Sequence, residues 1–494
     1  MTRRSSGSRR ARWRASTAFA AFIGLTCGPI AVAEIQVTPR LQVRQTWTDT
    51  GNLDRIGGDN GEVISTISPG VQIAGQTNRV QAFIDYTLNG LIFFRDSSNS
   101  DIRHQLNGRV NTEVINDHFF VDVRASVRQQ FNDFTGQVTN VQQNFTENRQ
   151  TIQTYAVSPS YREQFGSFAT ADLTYTYSVT EQEREGDVGA PIGFNSDGRG
   201  QDVNFRLNSG RAFNRLNWTF SSRYQTNLRT FQDLRFETWR TLFDVRYDLG
   251  RSTSLLGSVG YEEFDDDTLL DPIEGVTWDV GLRLSPGPRT EIEGRVGERF
   301  DGTVFSGRLS YAFSASDRLV ANYSEDLTVP NRNRLNLFDQ VLDADGDGIP
   351  DLIPDDNEIL GPDVFLTDAV FRQKRASLAF VRQLRKTTLS AQVFWFDREF
   401  PAENDFSADS YGGTINGQYR IDGAQSVSAQ LIYRHNNANQ DFSDDFVAFA
   451  PSYIYSLSPN LNASAQYTYT KRFSDNEFLD RSTNTITLSL TAFF

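Results

Sequence analysis

Apolar and polar residues alternate one by one along most of this chain. In the closing stretch "TITLSLTAFF", Ile486, Leu488, Leu490, Ala492 and Phe494 fall on one side of an extended backbone, and Thr485, Thr487, Ser489 and Thr491 on the other. The same period of two groups Leu461, Ala463, Ala465, Tyr467 and Tyr469, then Val427, Ala429, Leu431 and Tyr433, then Leu389, Ala391, Val393 and Trp395. It recurs in Phe305, Leu309, Tyr311 and Phe313, in Trp239, Thr241, Phe243, Val245, Tyr247 and Leu249, and in Phe119, Val121, Val123, Ala125 and Val127. Side chains of a pleated strand point to opposite faces in turn, so this period predicts β-strands. The opposing faces are strongly polar, with Arg240, Asp244, Arg246 and Asp248 in one strand and Asp122, Arg124 and Arg128 in another.

A β-sandwich would alternate as well. Two features favour a membrane barrel. The apolar faces often begin or end in Tyr, Trp or Phe, as girdles at two lipid interfaces require. The links between strands also alternate in length. Tight ones are "GQTNR" (75–79), "FGSF" (165–168), "LGRST" (249–253), "SPGPRT" (285–290), "SASDR" (314–318), "IDGAQ" (421–425) and "SPNL" (458–461). Between these hairpins lie longer acidic links such as "TDTGNLDRIGGDNGE" and "EQEREGDVGAPIGFNSDGRGQ". The expectation is an all-β fold: a transmembrane antiparallel β-barrel of about 22 strands, with short periplasmic turns and long extracellular loops. It starts near Ile35 and closes at Phe494, whose last strand must pair with the first, because lipid leaves no other partner for its backbone. "ISTISPGVQIAG" alternates less cleanly, and its Pro69 and Gly70 suggest a bend or a weak edge.

Composition narrows the picture. No run of about 18 apolar residues exists, so no helical span is expected. The first 33 residues read as a secretory signal: six arginines in "MTRRSSGSRRARWR", a short apolar run, then "AVA" before Glu34. A short membrane anchor is the competing reading. Loss of those six arginines takes the formal net charge from −14 to −20. An acidic exported chain is a poor ligand for nucleic acid. Cys27, the one cysteine, leaves with the signal, so residues 34–494 can hold no disulfide or thiolate site.

Candidate chemistry is sparse. Loop 330–369 carries ten acidic residues against Arg332 and Arg334, and contains "DADGDGIPD". Asp343, Asp345, Asp347 and Asp351 occupy positions one, three, five and nine of a calcium loop, with Ile349 offering a backbone oxygen and Gly348 the sharp turn. Pro354 stands where a full EF-hand has its bidentate Glu, so the pattern is nearer to shorter acidic calcium loops, and a solvated acidic loop is the alternative. Of the histidines, His104 and His435 fall near outer strand ends and His118 at a periplasmic turn. His435 in "YRHNNANQ" is the one candidate catalytic base, but the sequence pairs it with no nucleophile, and an enzyme is not expected. Inward charges of both signs, Asp279, Arg283, Glu291, Glu293, Arg295 and Arg299, suit either a salt-bridged wet lumen or a selectivity lining.

Three stretches resemble a known family. "VTPRLQVRQTWTDTGNL", "ISTISPGVQIAGQTNRVQAFIDYTLNG" and the hairpin "SGRLSYAFSASDRLVANYSED" are similar to outer-membrane β-barrel porins of the exosortase (PEP-CTERM) and exopolysaccharide-associated kind. The resemblance covers about the first 130 residues and scattered hairpins beyond. It implies a bacterial outer-membrane protein linked to exopolysaccharide production or export, with polysaccharide export components as partners, and supplies no site residues. A terminal aromatic on the lipid face, Phe494, also resembles the signal by which the barrel-assembly machinery recognises its substrates. Two function classes follow: a conduit for polysaccharide or small solutes, or a structural barrel whose loops bind envelope or glycan partners.

Overall fold

The computed structural model describes residues 35–494 apart from 55–59, 132–136, 138, 140, 142, 185–196, 231–232, 268, 270, 300–301, 329–370, 401–406, 439–441 and 477–478. The expected signal, 1–33, and the acidic loop 330–369 with Asp343, Asp345, Asp347, Ile349 and Asp351 lie outside the described residues.

The strands are β1 (Ile35–Thr48), β2 (Glu62–Gln76), β3 (Val80–Phe93), β4 (Asp101–Ile115), β5 (Phe119–Phe131), β6 (Arg149–Phe165), β7 (Ala169–Arg184) and β8 (Gly198–Ser209). Then come β9 (Leu216–Arg229), β10 (Leu234–Asp248), β11 (Thr253–Asp266), β12 (Ile273–Gly287), β13 (Thr290–Arg299), β14 (Gly302–Ala312) and β15 (Asp317–Thr328). The last are β16 (Phe371–Gln383), β17 (Thr387–Glu399), β18 (Ser407–Arg420), β19 (Gln425–Ala438), β20 (Phe442–Ser458), β21 (Leu461–Ser474) and β22 (Arg481–Phe493). Each pairs antiparallel with its chain neighbours, and β22 pairs with β1, which closes a 22-stranded barrel. Closure sets Leu41 opposite Ala492 and Thr46 opposite Thr487. Hydroxyls line the inner side of this seam, where Thr485 donates to Thr48 at 3.1 Å.

The alternation reads through to the two faces. On β22, Leu488 (46%) and Leu490 (44%) are exposed outward, where lipid would meet them, as is Phe494 (71%) just past the strand. Aromatic rings flank this apolar band. Towards the periplasmic turns, Phe213 packs edge-on against Phe168 and Trp218 at 5.5 and 5.7 Å. Towards the outer end, rings carry polar tips that find carboxylates: Tyr224 donates to Glu237, Tyr261 to Glu274, Trp278 to Glu298 and Tyr433 to Asp445, at 2.6–3.2 Å. A ring in the apolar band with its tip bonded to an acid marks a membrane–water boundary.

The periplasmic turns match expectation, for example 77–79, 166–168, 249–252, 288–289 and 459–460. Gly166 takes φ +58° in one of them, a left-handed conformation that glycine adopts without a Cβ clash. Outer links span more residues, as at 49–61, 132–148 and 329–370, but 230–233, 300–301 and 439–441 hold as few residues as the periplasmic turns. The reading of Pro69 and Gly70 as a bend or weak edge is corrected. β2 runs unbroken from Glu62 to Gln76, paired with β1 throughout. Proline only interrupts the ladder on one side. Pairing with β3 skips Ser68 and Pro69, as pairing of β6 with β7 skips Pro159 and of β20 with β21 skips Pro451. A missing N–H costs one ladder bond and leaves the strand otherwise intact when its other side stays paired.

Candidate functional site

The inward faces build the lumen, and the period of two decides which residues enter it. On β8–β15 the inward residues form a ladder of ion pairs. Arg223 pairs with Asp202, and Arg229 with Asp266. Glu262 pairs with both Arg240 and Arg299 at 2.6 Å, and Arg299 also reaches Asp326 at 2.9 Å. The charges expected from sequence take part. Arg295 contacts Asp279 and Glu293, each at 3.0 Å, and Arg283 contacts Glu291 at 3.0 Å. Sequence reasoning missed Glu262 and Asp326. Both carry the inward parity of their strands, but parity alone does not tell which arginine each will meet. Alternating partners of opposite sign leave this wall nearly neutral.

The wall made by β17–β21 is different. One register row runs Phe394, Gly412, Arg434, Phe446, Arg472. The next row outward holds Phe396, Ser410, Asn436 and Asp444. Arg472 donates to Asp444 at 2.7 Å, and Asn436 donates to the same carboxylate at 3.0 Å. Phe396 carries cations over its ring, with Arg375 at 5.2 Å and Arg398 at 5.7 Å. Arg434 has 2% exposure and, among the described residues, no hydrogen-bond partner. The sequence pointed one residue too far: His435 attracts attention as a histidine, yet alternation turns it to the outer face. There its Nδ1 lies 3.0 Å from Asp445, and its ring stacks on Tyr411 at 4.8 Å. His104 meets the Tyr86 hydroxyl at 2.8 Å, and His118 meets the carbonyl of Asn116 at 2.7 Å in a turn.

The outer half of the lumen is narrowed by contacts between strands that are not neighbours. Phe131, at the end of β5, packs with Ile432 of β19 and with Phe446 and Ala448 of β20. Leu327 of β15 packs with Phe236 and Phe264 of β10 and β11. At the mouth, Phe145 joins Ile64, Leu91 and Phe93, and the backbones of Gly51 and Leu53 bond to it at 2.8 and 2.9 Å. The Glu62 carboxylate fastens this rim by accepting from the amides of Val63, Phe94, Arg95 and Asp96 at 2.8–3.2 Å. Among the described residues no group of three or more His, Cys, Asp or Glu is placed to hold a metal.

A closed antiparallel barrel of 22 strands with an apolar belt and a charged interior has known counterparts. It is an outer-membrane type of β-barrel. The chain is similar to the FrpB iron transporter from Neisseria meningitidis (F5-1 variant), at 10% identity and a TM-score of 0.55, with 92% of this chain and 82% of that chain covered. It is similar also to the siderophore receptor PiuA from Acinetobacter baumannii, at 9% identity and a TM-score of 0.53, covering 92% of this chain and 82% of that one. At such identities the likeness is one of fold. No protein-family model matches the chain, and no curated protein is significantly similar in sequence.

Proposed function

We propose that this barrel is a porin-like outer-membrane conduit for a hydrated, polar solute or glycan, working with exopolysaccharide production or export. The observation that supports it most is the inward face of β8–β15, where ion pairs and hydroxyls give a dehydrating solute replacement partners along the wall. The likeness to exopolysaccharide-associated barrels, carried by "VTPRLQVRQTWTDTGNL" and the hairpins, supplies the glycan. Export components would be its partners, and Phe494 on the lipid face the residue that the assembly machinery reads. Planar-bilayer recording of the purified chain is the test, together with secreted polysaccharide in a deletion strain. Discrete conductance steps and lowered polysaccharide support the proposal. A silent bilayer with unchanged polysaccharide ends it.

The packed mouth favours a second reading, a receptor-type barrel that opens on contact with its ligand. The names of FrpB and PiuA, an iron transporter and a siderophore receptor, make a ferric chelate the cargo to try first. Growth of the deletion strain under iron limitation separates the two readings.

A further inference from the structure

Arg434 belongs to the inward face of β19, and its Nε, Nη1 and Nη2 atoms are all enclosed without a hydrogen-bond partner. Enclosing a guanidinium in this way leaves its desolvation uncompensated. Its donors form a planar fork that suits a carboxylate, sulfate or phosphate two bonds at a time. The charges around it do not fill that role. Asp444 acts on it, but that carboxylate already accepts from Arg472 and Asn436. Arg398 and Arg472 add positive charge from β17 and β21. Among the described residues Asp444 is the acid that acts on Arg434.

The flanks are apolar and close. Phe446 is opposite Arg434 in register, between it and Arg472. On the other side Gly412 is opposite, and a Cβ there would come 3.0 Å from the Cα of Arg434 and 3.0 Å from the ring of Phe394. Apolar walls lower the local dielectric and strengthen a charge-assisted bond made between them.

We propose that Arg434 is the centre of an oxyanion-binding site in the outer half of the lumen, with Arg472 and Arg398 as flanking cations. The ligand is a carboxylate, sulfate or phosphate, free or carried on a sugar. This deepens the conduit reading and rests on it only for the lumen as the direction of approach. Phe446 shares its cluster with Phe131 from the facing wall.

The test is calorimetric titration of the full chain in detergent with sodium sulfate, sodium glucuronate and glucose. Wild type binds the two oxyanions and not glucose. Arg434→Gln weakens oxyanion binding about tenfold or more, and Arg434→Lys weakens it less, because an ammonium keeps the charge and loses the fork. Tighter sulfate assigns the site to free ions and tighter glucuronate to acidic sugars, and either upholds it. Wild-type affinity in a folded Arg434→Gln barrel overturns the proposal, as does equal binding of glucose or no binding of any probe. If Arg434→Gln does not assemble, Arg434→Lys is titrated instead, and unchanged affinity overturns it. Bilayer conductance of the same preparations is scored separately. Binding without conductance removes the conduit and leaves the site, and conductance without binding does the reverse.

Discussion

Arg40 on β1 reaches across β2 to grip Asp85 on β3. Its Nη1 donates to Asp85 Oδ2 at 2.9 Å and its Nη2 to Oδ1 at 2.6 Å. The residue beneath the crossing is Gly70, opposite Arg40 on one side and Thr87 on the other. A Cβ at Gly70 would lie 2.9 Å from Arg40 Nε. The glycine is therefore a gap in the inner face of β2 through which a forked ion pair ties two strands that share no backbone bond.

Filling that gap should break the pair. Gly70→Val is expected to cost more than about 1.5–3 kcal/mol, the usual worth of hydrogen bonds to charged groups, because its Cβ would also lie 2.9 Å from the Tyr86 carbonyl oxygen. The temperature at which the barrel loses its compact gel migration should fall, and Asp85→Asn should give much of the same loss. If Gly70→Val leaves that temperature unchanged, the crossing contributes nothing to stability.

Glu262 is 3% exposed and serves Arg240 and Arg299 together. Replacing it by Gln removes the acid that Arg240 and Arg299 share, while Arg299 keeps Asp326; breaking a fully buried pair costs about 3–5 kcal/mol, and the retained contact makes the loss here smaller. The Glu262→Gln barrel should melt earlier, and its zero-current potential in a salt gradient should move towards anion preference. A shift towards cations would contradict the ladder as a selectivity lining.

Phe131 is 1% exposed and meets β19 and β20 from β5. Phe131→Ala removes the ring that links these non-neighbouring strands, so single-channel conductance should rise while the barrel still migrates as folded. Conductance equal to wild type would place the narrowest part of the lumen elsewhere.

Calcium binding by Asp343, Asp345, Asp347, Ile349 and Asp351 remains a proposal drawn from their spacing. Calcium should slow proteolysis between residues 330 and 369 in wild type and have no such effect on a variant carrying Asp345→Ala and Asp347→Ala. Equal cleavage of wild type with calcium and with chelator would leave an acidic loop with no cation role.

Much of this barrel was legible in the sequence, because a strand carries its two environments in alternate residues. Leu488 and Leu490 announce a lipid face and Thr487 and Ser489 a wet one, whatever the rest of the chain does. Turns such as 166–168 and 288–289 were equally local, since two or three residues with the right backbone freedom close a hairpin. Closure of β22 on β1 followed too, from the need of every backbone group in lipid for a partner.

Tertiary structure decided what meets what across the interior. Alternation places Glu262, Arg299 and Arg434 in the lumen, but pairing depends on register between strands and on how far each wall leans inward. Arg299 finds Glu262 two strands away, and Phe131 finds Phe446 on a wall that is not adjacent to its own. Gly70 looked like a weakness because its use is a side chain from β1 that no local window contains. Arg434 looked like any inward arginine because its lack of a hydrogen-bond partner among the described residues depends on where the neighbouring strands put theirs. The period of two is a property of each strand's own backbone, whereas lumen chemistry is set by separations between strands distant in the chain.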